Sequence, residues 1–191
     1  MDPVSVAAGS WAGATPADLV RRAAAGDTLA FEALVTARAD RDFRMARAIL
    51  GNESDARDAT QDAFVSAWRE LPRLRDPERF DGWLRRILVN ACRAQLRVRG
   101  RVREIQLDPP DRVEPGSALQ ERVGETDVVS RAFDRLDADK RSLLVLHYLQ
   151  HEPIAAIGAA LGVPVGTVKW RLSAARAALE RALLAEGRGR P

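Results

Sequence analysis

The segment 154–184 constrains the fold of this chain more than any other, because it reads as two amphipathic helices joined by a tight turn. Apolar residues recur at helical spacing through its first part, and Gly162 then supplies the left-handed conformation that helix ends favour. Pro164 fixes the turn, and the second helix is expected to begin one or two residues later. Two short helices connected by a glycine-containing turn predict a helix-turn-helix.

The second helix of this motif has one apolar side and one side that is free to bind a partner. At about 100° per residue, the apolar side consists of Val168, Leu172, Ala175, Leu179 and Leu183. The opposite side and its flanks offer small, polar and cationic side chains, which suit the base edges and phosphates of a DNA major groove. The candidate contacts are Thr167, Lys169, Trp170, Arg171, Ser173 and Arg176.

A helical hairpin with a solvated basic surface is the alternative interpretation of this segment. Such surfaces are common on helices that bind nothing. Trp170 argues against it, because a large apolar ring directed away from the core usually has a partner.

The composition excludes several classes of protein. A length of 191 residues allows one or two small domains, and the chain is apolar enough to form real cores. No apolar run approaches the length of a membrane span and no signal segment begins the chain, so we expect no membrane insertion. The single cysteine, Cys92, rules out an internal disulfide and fits the reducing cytoplasm. His147 and His151 could share a helix face, but two histidines alone do not predict a zinc site.

The net charge of +3 is small, but the charges are segregated along the chain. Residues 83–103 hold seven arginines and no acid, whereas residues 104–127 hold seven acids and two arginines. Residues 165–191 hold six cations and two acids. Two basic blocks separated by an acidic connector indicate two nucleic-acid contacts joined by a tether.

Three helices are predicted ahead of the first basic block, after a disordered leader over residues 1–14. Thr15 and Asp27 are expected to cap the first two helices, and Ser54 is expected to open a third that ends before Pro72. The third helix has one apolar side. The opposite side, which is an ordinary solvated surface unless a partner covers it, carries Asp58, Gln61, Asp62 and Val65.

A fourth helix over residues 82–99 carries the first basic block and follows a proline-bounded loop at 73–80. One side of this helix aligns Arg86, Asn90, Arg93 and Arg97 at positions i, i+4, i+7 and i+11. A solvated face normally mixes charges of both signs. Three guanidiniums and an amide in line, with no acid to neutralise them, therefore predict a reader of phosphates and bases.

The predicted architecture is all-α. It consists of a helical domain at 15–100, a flexible acidic linker at 101–126 and a helix-turn-helix domain at 127–186. The linker is predicted from its prolines and acids, and no segment alternates as a strand would.

The two basic helical blocks, in this order, resemble the extracytoplasmic-function sigma factors, a compact two-domain class of bacterial RNA polymerase sigma factors. The segment 58–68 resembles the acidic helix of sigma region two, and the segment 80–90 resembles the helix that follows it. The segment 136–176 resembles sigma region four. Response regulators carry similar helix-turn-helix segments, so the specific feature is the pair of motifs, which covers residues 15–184.

The resemblance implies a role for each set of residues. The outward side of the third helix would dock on the clamp helices of core RNA polymerase. The fourth helix would hold the opening DNA at the minus-ten promoter element, and the helix-turn-helix would read the minus-thirty-five element as duplex. The loop before the fourth helix would receive an unstacked base through Arg75, Asp76, Arg79 and Phe80.

Further implications concern the linker, the partners and the promoter. The linker would thread through polymerase towards the RNA exit path, and an anti-sigma factor is an expected partner. The sequence departs from the family at Trp170, where a small polar residue is usual, and at Ala174, where a cation is usual. We therefore expect an unusual promoter preference. Glu152 and Pro153 replace the usual start of the first helix of the motif, which is expected to begin a residue or two late.

Two other functions fit parts of the sequence. A polymerase-independent regulator would bind intact duplex DNA, with the N-terminal helices as a sensing or dimerising domain. An enzyme is disfavoured, because the sequence shows no glycine-rich phosphate loop, metal cluster or nucleophile–base constellation. We therefore expect no enzymatic activity, no cofactor and no small-molecule substrate, with core RNA polymerase, promoter DNA and an anti-sigma factor as partners.

Overall fold

A computed structural model of the chain describes residues 14–105 and 125–188, and these residues form helices and no strand. The described helices are α1 Pro16–Ala24, α2 Thr28–Leu50, α3 Glu53–Glu70, α4 Phe80–Ile105, α5 Glu125–Asp134, α6 Ala138–Leu144, α7 Ile154–Leu161 and α8 Val165–Arg188. Two short 3-10 turns, Leu71–Arg73 and Pro77–Arg79, join α3 to α4, and a π-helical turn, Val145–Leu149, follows α6. The predicted all-α fold is confirmed. Most of the predicted leader and linker lies outside the described residues.

Polar caps fix where the first three helices begin. In α1 the Thr15 hydroxyl accepts a hydrogen bond from the Asp18 backbone N–H at 3.2 Å, and the Asp18 carboxylate accepts one from the Thr15 backbone N–H at 3.0 Å. Asp27 caps α2 through its carboxylate, as predicted. α3 begins one residue before Ser54, because Asn52 supplies the cap.

The fourth helix is longer at both ends than the sequence predicts. α4 begins at Phe80, so that Asp81 lies in its first turn and does not cap it, and it continues to Ile105. The predicted loop at 73–80 contains the second 3-10 turn and the last residue of the first. Because α4 is uninterrupted from Phe80 to Ile105, its basic side is carried by one continuous helix.

Alanines on α3 bring the N-terminal helices close together. Ala56, Ala59, Ala63 and Ala67 are at most 1% exposed, and α3 packs through this row between α2 and α4. Because alanine adds little bulk, the helix axes approach closely. A second, smaller cluster fixes α1 and the 3-10 turns against α2 and α4. It includes Val20, Leu34, Leu71, Phe80 and Leu84.

The helix-turn-helix of α7 and α8 depends on two glycines. Gly162 ends α7 at φ 68°, in the left-handed region. Gly158 lies inside α7, where a Cβ atom would stand 2.8 Å from the carbonyl oxygen of Val163. The turn therefore folds back so closely on α7 that only glycine fits at this position.

The C-terminal helices do not form a separate core. One large apolar cluster combines residues of α2, α3 and α4 with residues of α6, α7 and α8, and α6 and α7 pack directly on α4. Arg141 of α6 is 5% exposed and donates a hydrogen bond to the carbonyl oxygen of Ile49, near the C-terminal end of α2, at 3.1 Å. A cation at this helix end is favoured by the helix dipole. The N-terminal group of helices, α1 to α4, and the C-terminal group, α5 to α8, are thus in close contact.

Candidate functional site

The side of α3 opposite its alanines is polar, acidic and free. Asp58, Gln61 and Asp62 are exposed, and none of the three makes a side-chain hydrogen bond or ion pair within the described part of the chain. Val65 continues this side with 42% of its surface exposed. We call these four residues the acidic face. It combines negative charge with an apolar contact, as protein–protein interfaces often do.

The basic side of α4 is only partly free. Arg86, Asn90 and Arg97 are exposed. The Arg93 guanidinium instead binds the Asp139 carboxylate of α6, with Nη2 at 2.6 Å and Nε at 2.7 Å from Oδ1. Only 18% of the Arg93 side chain is exposed. The structure therefore leaves three of the four predicted DNA contacts accessible and pairs the fourth with an acid.

Arg85 was not among the predicted site residues, although it lies beside this basic line. Its guanidinium is buried, and Nη2 lies 2.8 Å from Oε1 of Glu152, just before α7. Arg41 of α2 approaches the same oxygen at 3.4 Å. Burial lowers the pKa of Arg85, and the nearby Glu152 opposes that shift. The sequence contains a signal for this buried contact. Arg85 does not lie on the line of Arg86, Asn90, Arg93 and Arg97, whose spacing is i, i+4, i+7 and i+11, so it occupies another side of α4.

A surface cleft of about 380 Å³ lies between α3 and α4. Its lining combines an aromatic ring, a cation, an amide, a carboxylate and a hydroxyl. The residues are Ser66, Glu70, Trp83, Arg86, Ile87, Asn90 and Ala91. Sequence reasoning identified Arg86 and Asn90 but missed the others. The signal was present, because Trp83, Arg86, Ile87 and Asn90 follow helical i, i+3, i+4, i+7 spacing.

The loop before α4 presents two of its arginines but hides its aromatic residue. Arg75 and Arg79 are exposed, and Asp76 caps the second 3-10 turn by accepting a hydrogen bond from the Glu78 backbone N–H at 3.1 Å. The resemblance implies that Phe80 helps this loop to receive a base, and that role stays a prediction. Phe80 is 5% exposed, because its ring is an anchor of the smaller apolar cluster.

On α8 the predicted apolar and outward sides are both recognisable. Val168, Leu172 and Ala175 are buried, while Leu179 and Leu183 are half-buried. Of the candidate contacts, the structure exposes Lys169, Trp170, Ser173 and Arg176. Trp170 is the most exposed large apolar residue in the described part of the chain, at 70%. Thr167 and Arg171 are half-buried at the edges of this side.

The described residues contain no group of three histidines, cysteines or carboxylates that could hold a metal ion. His147 lies in the π-helical turn and His151 follows it with φ 52°, so the two do not share a helix face. Within residues 14–105 and 125–188, the helices are too short or too polar to cross a membrane.

Family models of transcription factors match both helical groups. Residues 34–102 match the model of sigma-70 region 2, and residues 126–179 match the model of sigma-70 region 4. The first match contains the acidic face and the basic side of α4, and the second contains the helix-turn-helix. A chain that joins these two regions on an all-helical fold is a sigma factor, the class of initiation factor that directs RNA polymerase to promoters.

Similar proteins narrow this class. The ECF RNA polymerase sigma factor SigM of Mycobacterium tuberculosis is 36% identical over 167 residues, which cover 87% of this chain and 84% of SigM. The ECF RNA polymerase sigma-E factor of Escherichia coli is 29% identical, and the aligned residues cover 85% of this chain and 91% of the Escherichia coli protein. CnrH, solved in complex with the cytosolic domain of CnrY, covers 89% of this chain with 29% identity and a TM-score of 0.63. The chain belongs to the ECF family of RNA polymerase sigma factors.

Proposed function

We propose that this sigma factor docks on core RNA polymerase through the acidic face of α3. The observation that carries the proposal is that three polar side chains and Val65 lie exposed on one rigid helix, and the polar three have no partner within the described residues. Elsewhere in these residues, many charged groups are paired. A free acidic surface that ends in an apolar residue fits a basic and partly apolar partner surface.

The minus-ten element is read by α4 and the cleft beside it. A base extruded from the duplex needs an apolar wall, a hydrogen-bonding edge and a cation for its phosphate. Trp83, Asn90 and Arg86 offer these three groups within one cleft. Arg75, Asp76 and Arg79 lie in the preceding loop, and Phe80 anchors that loop to the core. Arg93 and Arg97 extend the contact along the DNA backbone.

The minus-thirty-five element is read by α8 in the duplex form. Lys169 and Arg176 are exposed cations on the flanks of this helix, where they reach phosphates. Trp170, Ser173 and Thr167 face the base edges. An exposed indole offers apolar contact to a thymine methyl group, so Trp170 influences which sequences are preferred.

Similar structures support the expectation of an anti-sigma partner. The structure of CnrH holds the cytosolic domain of CnrY, and the fold of this chain matches RpoE of Bartonella quintana, solved with the anti-sigma factor NepR. We expect this chain also to be held by an anti-sigma factor and to act in the cytoplasm. We also propose that the domains extend over residues 15–100 and 127–186 and that the linker at 101–126 passes through polymerase.

Charge reversal on the acidic face tests the docking surface. We expect Asp62→Arg to weaken binding to core polymerase by at least about tenfold, because it places a cation against a basic partner surface. Titration of fluorescently labelled sigma factor with core enzyme measures this. Asp40→Arg is the matched control, since Asp40 is exposed on α2 and its carboxylate is unpaired within the described residues. Equal affinity of the two variants for core enzyme would contradict the proposed surface.

Run-off transcription tests the function as a whole. Addition of the protein to core polymerase is expected to start transcripts at discrete positions on genomic DNA fragments. Asp62→Arg should lose this activity, whereas DNA binding in the absence of polymerase should not change. A protein that binds promoter duplex well alone and never associates with core enzyme would overturn the proposal.

A further inference from the structure

Trp170 has no structural partner within the described residues. It is largely exposed, and it belongs to neither of the two apolar clusters. The ring contacts among the described residues involve other aromatic side chains, and Trp170 makes none. A single exposed apolar residue is common on protein surfaces and by itself indicates nothing. What distinguishes Trp170 is its place on α8.

Trp170 lies where a helix-turn-helix presents the side chains that read bases. It is in the second turn of α8, which begins at Val165 directly after the turn of the motif. Recognition helices contact base edges chiefly through residues near their N-terminal end. Val168, two residues earlier, is fully buried, and two residues correspond to about 200° around a helix. The indole is therefore directed away from the core, towards the side that would meet a groove.

The side chains around Trp170 on this side of α8 are small. Residues three and four positions away are its neighbours on the helix surface, and these are Gly166, Thr167, Ser173 and Ala174. A Cβ atom added at Gly166 would meet nothing within 4 Å. Because the indole is by far the largest of these side chains, it extends beyond them towards a bound duplex.

Cations surround the indole and determine the kind of surface that it meets. Lys169 and Arg176 are exposed, Arg171 is half-buried at the edge, and residues 165–179 contain no acid. These charges are complementary to the phosphates that line a groove of duplex DNA. An apolar ring set among cations fits the base edges inside a groove better than it fits an apolar protein surface.

The chemistry of an indole limits what it can read. Its ring nitrogen donates one hydrogen bond and accepts none, so it cannot form the two-point contacts with which arginine reads guanine and asparagine reads adenine. Its main contribution is apolar area. The apolar group on the major-groove edges of the bases is the 5-methyl group of thymine. Cytosine that is methylated at C5 carries a methyl group at the same place.

We infer that Trp170 reads the 5-methyl group of one pyrimidine in the minus-thirty-five element, whether thymine or 5-methylcytosine carries it. At a promoter with cytosine at that position, methylation of the base therefore strengthens binding of this factor. A small polar residue in place of Trp170 would lack the apolar area for this contact. The inference rests on the proposed function, because it requires α8 to read the minus-thirty-five element as duplex.

Base analogues that differ only in this methyl group test the inference. The DNA is a promoter fragment on which the holoenzyme, the full chain with core polymerase, starts transcription in the run-off assay. Around the minus-thirty-five element, each thymine of both strands is replaced in turn by uracil, and each cytosine in turn by 5-methylcytosine. At a position that responds, all four pyrimidines are compared, each with its matching purine. Competition binding followed by fluorescence anisotropy gives the relative affinities of the holoenzyme.

We expect at least one position at which the methylated base binds about fourfold more tightly, because a methyl group is removed from water there. This ratio should hold for thymine over uracil and for 5-methylcytosine over cytosine. Trp170→Ala should bind both members of each pair equally, and Trp170→Phe, which keeps an aromatic ring, should retain part of the preference. Lys169→Ala is the matched control on the same helix. It should weaken binding to all duplexes alike and keep the fourfold ratio.

Three results would overturn the inference. The first is a wild-type holoenzyme that shows no dependence on the methyl group at any position. The second is a dependence that Trp170→Ala retains unchanged. The third is a preference for thymine over uracil without one for 5-methylcytosine over cytosine, since thymine would then be recognised by more than its methyl group. Weaker binding of Trp170→Ala to core polymerase, with no dependence on the methyl group, would instead assign the ring to a protein contact.

Failure of the proposed function gives a different result. A chain that never starts transcription with core polymerase overturns the proposed function, and this inference with it, before any analogue is compared. Transcription that starts normally with no dependence on the methyl group overturns this inference alone. Each comparison is a ratio of two affinities of the same protein, so a general loss of affinity or stability in a variant does not change it.

Discussion

Neighbouring side chains on the outward side of α8 differ in how a DNA duplex could reach them. Trp170 is 70% exposed, whereas Arg171 beside it is half-buried. A half-buried arginine lays its aliphatic stem on the helix and keeps its guanidinium at the edge. Such a group is placed for a phosphate, while the exposed indole is placed for base edges.

Substitution of Arg171 tests this division of roles. We expect Arg171→Ala to weaken binding of a minus-thirty-five duplex and to reduce the slope of log affinity against log salt by about 1, because one phosphate contact is lost. Anisotropy titrations at several salt concentrations measure the slope. Ser173→Ala, which changes no charge, should leave the slope unaltered. An unchanged slope for Arg171→Ala would exclude the phosphate contact.

Asp18 gives the N-terminal helix a stability that depends on pH. Hydrogen bonds from Thr15, and then the neighbouring Arg21, lower the pKa of Asp18 from 3.8 to about 2. Because the folded pKa is the lower one, the contribution is present above about pH 4 and is lost as the pH falls towards 2. Thermal midpoints measured from pH 5 to pH 2 should fall less steeply for Asp18→Asn than for the wild type. Asp40→Asn, in which no capping bond is lost, should follow the wild type.

At the level of single residues, the sequence predicts which side of a helix a residue occupies but not what it meets there. The spacing placed Arg93 correctly in line with Arg86 and Asn90. It could not show that Asp139, which lies 46 residues later, would bind it, because that contact depends on tertiary packing. The burial of Phe80 was not predictable for the same reason, since an aromatic residue at a loop end is equally suited to a core or to a base.

The helices themselves were largely predictable, because their ends are set by local chemistry. Thr15 and Asp27 cap as expected, and Gly51 and Gly162 end their helices with positive φ. The errors lie where local signals are absent or are overridden. α4 continues through Gly100, past its predicted end at Arg99, although a glycine at this position often ends a helix, and the π-helical turn after α6 has no recognised sequence signature.

Gly158 makes a sharp prediction for the helix-turn-helix. We expect Gly158→Ala to lower the free energy of unfolding by about 1–3 kcal/mol, because the added methyl group meets the rigid backbone of Val163 at 2.8 Å. Urea denaturation followed by circular dichroism measures this. Gly166→Ala is the control in the same motif, since nothing lies within 4 Å of its added Cβ. A Gly158→Ala protein as stable as the control would show that the turn can relax.

For the whole molecule, the sequence predicted two domains on a tether, and the structure shows two helical groups in contact. Amphipathic patterns reveal that a helix side is buried but not which helix buries it. Leu88 and Val89 of α4 lie within the match to sigma-70 region 2, yet they belong to a cluster that includes α6 and α7. The acidic connector, most of which lies outside the described residues, offered no information on this docking.

The reactivity of Cys92 shows whether the N-terminal and C-terminal helices stay packed together. Its thiol is fully buried in the shared cluster, and this burial raises its pKa to about 12. Since only the thiolate reacts, native protein at pH 8 should react with a thiol reagent more than about a thousandfold more slowly than unfolded protein. The control is the same protein in denaturant. Rapid reaction of the native protein would indicate that the groups separate readily without polymerase.

The row of alanines on α3 has a consequence for how such a chain changes over generations. Its buried side consists of these alanines and Thr60, and none of the four residues of the acidic face belongs to it, so substitutions on the acidic face leave this packing in place. Surface substitutions at such positions usually alter stability by less than about 0.5 kcal/mol. Mutations on the acidic face can therefore change how well this factor competes with other sigma factors for a limited pool of core enzyme, with almost no loss of folding stability.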